Sequence, residues 1–123
     1  MAKNELIFIT KDGRNTVESI SASGGPVDIF VAGADGSKVL GIGAPTVSGT
    51  VTLIDLLYDD GINPPALLNR KSTPAAGDDL FDMLFLAKDA NGNKYLNMPS
   101  GSKITCDPQG TGSATVFVQA EDY

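Results

Sequence analysis

Short apolar and β-branched runs recur along the chain, separated by clusters of Gly, Pro, Asn and Asp, at a spacing that suits a sandwich or barrel. The first run, Leu6-Ile7-Phe8-Ile9 within residues 5–10, ends at Lys11-Asp12-Gly13-Arg14-Asn15, where Asp-Gly predicts a turn. A weaker run covers residues 16–21. Residues 27–31 and 38–42 flank Gly33-Ala34-Asp35-Gly36-Ser37 and read as a hairpin. The clearest alternation follows, with Val47, Gly49, Val51 and Leu53 on one side of a strand and Thr46, Ser48, Thr50 and Thr52 on the other. It continues to Tyr58, with a bulge or strand end expected near Asp55.

Residues 59–77 hold Gly61, Pro64, Pro65, Pro74 and Gly77 and predict a long connection, in which Ala66-Leu67-Leu68 suits one helical turn or a short strand. A loop through Asp82 and a strand over residues 83–88 then lead into a hairpin turn, Asp89-Ala90-Asn91-Gly92-Asn93, and a strand over residues 94–98. Pro99-Ser100-Gly101 turns the chain into residues 102–106. A second turn over residues 107–112 precedes the last strand, residues 113–120. The expectation is a single antiparallel β-sandwich of jelly-roll type over residues 1–123, with about eight strands and little helix.

Composition agrees. Fourteen Gly and seven Pro among 123 residues are too many for a helical bundle, and 41% hydrophobic residues suffice for one core. Fifteen acidic against nine basic residues give a net charge of −6, and Arg70-Lys71 is the only adjacent basic pair, so no nucleic-acid partner is expected. The apolar run at residues 6–9 is too short for an export signal or a membrane span, which predicts synthesis in a cytosol without a classical export signal and no membrane partner.

The candidate chemistry is sparse. Without histidine, and with one cysteine, the chain has no material for His-based triads, His metal sites, zinc fingers or an intrachain disulfide. Cys106 reads as a small apolar residue in a strand. Asp89, Asn91 and Asn93 match the first ligand positions of a calcium loop, but Lys94 and Ser100 replace the required Gly and Glu, so a plain hairpin loop is expected. Asp55, Asp59, Asp60, Asp78, Asp79 and Asp82 concentrate carboxylate against Arg70 and Lys71 alone; they are read as solvated loop charges ahead of a metal site or a hydrolytic pair. Gly41-Ile42-Gly43 is too short for a dinucleotide fingerprint. No catalytic residue, cofactor or metal ligand is assigned, and no enzyme is expected. Tyr58, Tyr95 and Tyr123 remain as candidate surface anchors.

The strand at residues 47–53, the Pro74-Ala75-Ala76-Gly77-Asp78 turn, the hairpin from Leu84-Phe85-Leu86-Ala87-Lys88 to Lys94-Tyr95-Leu96, and the last strand ending in Glu121-Asp122-Tyr123 together resemble small β-sandwich accessory virion proteins of tailed bacteriophages. That resemblance implies a virion structural protein, first a capsid decoration or cement subunit bound to the major capsid protein. A tail or receptor-binding module comes next, and a small metal-dependent hydrolase is the alternative from another class. Self-association as a trimer, then a dimer, is expected through the candidate edge strands at residues 6–9 and 114–120. Residues 1–25 are read either as an arm ordered by a neighbouring subunit or as an edge strand and loop.

Overall fold

The computed structural model describes residues 12–83 and 86–123. Among them are ten β-strands and no helix: β1 (Asp12–Ser21), β2 (Val27–Val31), β3 (Ser37–Ser48), β4 (Val51–Asp59), β5 (Ala66–Ser72), β6 (Asp78–Asp79), β7 (Ala87–Lys88), β8 (Lys94–Met98), β9 (Lys103–Gly110) and β10 (Ser113–Asp122). One sheet runs β1-β10-β3-β8-β7, with β6 also paired to β3; the other runs β2-β9-β4-β5. All strand pairs are antiparallel. The four-strand orders β1-β10-β3-β8 and β2-β9-β4-β5 make the expected jelly roll, to which β6 and β7 add two residues each.

The core lies between the inner faces. Ile20, Val39, Ala44, Val116 and Val118 face inward from the first sheet, and Ile29, Phe30, Ile54, Leu56, Ile104 and Cys106 from the second. Leu80, Phe81, Met83 and Leu86, on the segment around β6 and β7, join the same cluster. Alternation along β10 is regular, with Ala114, Val116, Val118 and Ala120 buried and the residues between them turned outward.

Several sequence expectations are corrected. Asp12-Gly13-Arg14-Asn15 is not a turn but the start of β1, paired residue for residue with β10 from Asp12↔Asp122 to Ser21↔Ser113. The weaker run at residues 16–21 is the second half of this strand; the first half escapes a hydrophobicity pattern because the inward positions Arg14, Thr16 and Glu18 are polar, leaving Ile20 as the buried apolar residue. Residues 12–21 thus belong to the domain's own sheet and are its edge strand among the described residues, while the run at residues 6–9 lies outside them. Residues 114–120 form no edge, because β1 covers that side of β10. β2 and β3 make no hairpin: the turn at Gly33–Gly36 carries the chain from one sheet to the other.

The alternating stretch through residues 46–53 holds a corner at Gly49 and Thr50, with Gly49 at φ 66°. The inward side passes from Val47 to Val51 because both sheets present their inner faces to one core, but a register shift between Val51 and Leu53 then changes the phase, so Ile54 is buried in place of the expected Leu53. A second corner packs against this one at residues 110–113. A Cβ on Gly112 would collide with the backbone of Ser48, Gly49 and Thr50. β9 runs through the expected turn to Gly110. Pro108 fits there because β2 pairs β9 only as far as Cys106, so the missing N–H removes no ladder bond. Ala66-Leu67-Leu68 begins β5, and of the expected strand at residues 83–88 only β7 forms among the described residues.

Ile104, fully buried at the centre of the second sheet, sets the scale of the core. Ile104→Ala is expected to lower the unfolding free energy by about 3 kcal/mol through lost transfer energy and a cavity, read from the midpoint of chemical denaturation at unchanged slope.

Candidate binding surface

The six carboxylates singled out in the sequence do not converge. Arg70 Nε and Nη2 bind Asp55 Oδ1 and Oδ2 at 2.7 and 2.9 Å on the outer face of the second sheet. Asp59 accepts from the Gly61 N–H, and Asp60 from the Ile62 and Asn63 N–H groups and the Asn63 amide. These bonds, the Asn63 N–H first, hold the Asp60 carboxyl below its ordinary value. Asp78 accepts from the Ala75 N–H and Asp79 from the Phe81 N–H, while Lys94 Nζ lies 2.7 Å from Asp82 and lowers its pKa. Each carboxylate therefore organises its own turn or ion pair. Among the described residues no three His, Cys, Asp or Glu side chains gather around a common point.

Asp89 behaves as the hairpin reading requires: its Oδ1 accepts the N–H groups of Asn91 and Asn93, both at 2.9 Å, and the Asn93 bond leads the lowering of its pKa. Cys106 is fully buried on β9, and burial, followed by Asp107 and Asp55, pushes its thiol up to about 12. It has no thiolate character near neutral pH. Tyr58 packs against the core, Tyr95 lies under the Lys38 ammonium at 4.6 Å, and Tyr123 donates its hydroxyl to Asn97.

The outer face of the first sheet, where β1, β10 and β3 lie side by side, carries two depressions. Val17, Phe117 and Gly43 are register partners across the three strands, and Val17 keeps 58% and Phe117 36% of its area exposed. Beside Phe117 an apolar slot of about 310 Å³ is lined by Gly43, Ala44, Pro45, Gly77 and Asp78. Further along β3 a groove of about 580 Å³ opens between β6 and the β7–β8 hairpin, with Lys38, Leu40 and Gly41 from β3 and Asp79, Phe81 and Lys94 among its lining residues.

Gly41 and Gly43 link the two depressions. Neither has a positive φ, a Cβ on Gly41 would meet nothing within 4 Å, and one on Gly43 would meet only Asp78 O at an ordinary 3.5 Å. A glycine inside a strand costs about 0.5–1 kcal/mol relative to alanine. Both flank register shifts in the β10–β3 pairing, one between Val39 and Gly41 and one between Gly43 and Thr46, yet neither shift gives them a positive φ or a close internal neighbour. They leave a floor free of side chains, where another backbone can approach closely. The sequence carried this signal as glycines two apart on one strand face, a spacing that has nothing to do with phosphate binding.

A second feature that the sequence reading missed sits at the end of the sandwich. Arg14 Nε and Nη2 bind Asp122 at 2.8 and 3.0 Å, Nη2 also donates to Val31 O at 2.6 Å, and the guanidinium lies 4.3 Å above the Phe30 ring. Ser37 Oγ donates to Asp122 Oδ1 and accepts from the Gly33 N–H. Thr16 Oγ1 adds a bond to Ile29 O at 2.7 Å. Neither a family model, nor a curated protein, nor a solved structure matches the chain.

Hydrogen bonds from Arg14, then Ser37, hold the Asp122 carboxyl below its ordinary value. A depressed folded pKa stabilises fully above the unfolded value near 4, and that contribution is lost as pH falls through the folded value. Unfolding followed from about pH 6 down to about pH 2 is expected to show a steeper loss in the native protein than in Asp122→Asn, which is the less stable of the two at neutral pH. Parallel curves refute the linkage.

Proposed function

We propose that this protein is a non-enzymatic structural subunit of a bacteriophage particle, a capsid decoration or cement protein that docks its first sheet on the shell. The observation that carries the reading is the side-chain-free floor of β3, Gly41 and Gly43, bordered by the exposed pair Val17 and Phe117 and opening into an apolar slot. Such a floor suits a partner's backbone or a flat side chain, and recognition by shape needs no catalytic group. The carboxylates also support the reading, because each is engaged locally and serves the rigidity of the scaffold.

Gly41→Glu tests the reading without disturbing the fold, since the new side chain enters open space at an ordinary backbone conformation. In particles assembled with the variant, quantitative mass spectrometry is expected to find its copy number reduced about tenfold, the effect of about 1.4 kcal/mol, at an unchanged melting temperature. Native protein absent from purified particles, or undiminished incorporation of the variant, contradicts the proposal.

A further inference from the structure

We infer that the edge of β1 that no strand meets among the described residues is the dimerisation site, where a second copy of this chain adds its own β1 antiparallel, about a two-fold axis at Thr16, to extend the first sheet.

The edge can be located from the hydrogen-bond parity. Ala22 N donates to Gly112 O, a pair that continues the unbroken β1–β10 register, so the even-numbered residues of β1 direct their N–H and C=O groups at β10. Asn15, Val17 and Ser19 consequently direct theirs outward, and among the described residues no strand meets them. This edge is regular over ten residues, without proline and without a register shift.

The other long edges are guarded. β2, which borders β1 on the same side of the sandwich, has its outward carbonyls Ile29 and Val31 occupied by Thr16 and Arg14. β5 has a bulge opposite Leu56 and Leu57, Pro64 and Pro65 before it, and Arg70 and Lys71 within it. Among the described residues, β1 is thus the long edge strand with neither a bulge nor occupied outward carbonyls, and the charges it does carry, Asp12, Arg14 and Glu18, limit the registers in which it can pair.

Charge selects both the occupant and the register. Self-pairing about Thr16 sets Arg14 opposite Glu18 of the second copy, twice by symmetry, and brings Asn15 and Val17 together as a hydrogen-bonded pair. Pairing about Asn15 sets Asp12 against Glu18, and pairing about Glu18 sets that carboxylate against its own copy. Glu18 has no ion-pair partner among the described residues, and Arg14 Nη1 takes no part in the bonds to Asp122 and Val31. An isologous contact of this kind closes as a dimer. It also places the two Val17 side chains diagonally across the junction, joining both copies of the exposed strip. The inference stands apart from the shell reading, which Gly41→Glu tests on the sheet face.

The test uses the full chain. Sedimentation velocity over a range of concentrations is expected to show a monomer–dimer equilibrium, and hydrogen exchange followed by NMR to show the Asn15, Val17 and Ser19 amides gaining protection as the dimer forms. Glu18→Lys, which turns two attractive cross-strand pairs into repulsive ones, is expected to weaken dimerisation about tenfold. Asn15→Pro, which removes an outward N–H and leaves the β10 ladder intact, is expected to abolish it at an unchanged melting temperature. A monomer at every concentration overturns the inference, as does a dimer indifferent to both substitutions. Protection of the three amides that does not vary with concentration also overturns it and assigns the edge to a segment of the same chain.

Discussion

The fold depends on how its open side is closed. A jelly roll leaves two strands side by side at one end, here β1 of the first sheet and β2 of the second, with no backbone ladder between them. Arg14 and Thr16 bridge that gap by donating to the free carbonyls of β2, and Asp122 fixes Arg14 from the neighbouring strand while Ser37 fixes Asp122. Four strands meet in this network. Its bonds are charge-assisted and partly shielded, with the Asp122 side chain 25% exposed, so they hold geometry that an apolar seam would leave free to slide.

The same arrangement divides the labour of β1. Arg14 and Thr16 serve the seam, Ile20 anchors the strand to the core, Val17 contributes to the outer face, and among the described residues no strand pairs its outward backbone. A strand whose inner face is polar in three of four positions is held by its ladder and these few bonds more than by burial. Rigidity in the turns comes from carboxylates used locally, Asp60 over residues 61–63 and Asp89 over residues 90–93 being the clearest cases. The acidic balance of the chain thereby becomes a structural device as well as a surface charge.

The all-β class and the jelly roll were legible because both sheets bury one face, so alternation and turn chemistry repeat along the chain. β2 was read to its residue, and β8, β10 and the Asp89 turn closely. Where the reading failed, the physics was non-local. The Gly33–Gly36 turn has hairpin composition, yet composition does not say whether the flanking strands pair or part into two sheets. Alternation through Gly49 hid a corner because both sides of it face one core. Only the second half of β1 carried a weak apolar run; its first half carried none, since its contacts are hydrogen bonds to residues as distant as Asp122. The carboxylate runs advertised a shared site in sequence, but the fold separates them, whereas the glycine floor on β3 became visible only once Phe117 and Val17 were placed beside it.

A double-mutant cycle between Arg14 and Asp122, using Arg14→Gln and Asp122→Asn, measures most directly whether this network closes the sandwich. A coupling free energy of about 1 kcal/mol or more is expected at neutral pH, as for contacting members of one network. Additive single substitutions, with coupling indistinguishable from zero, would contradict this.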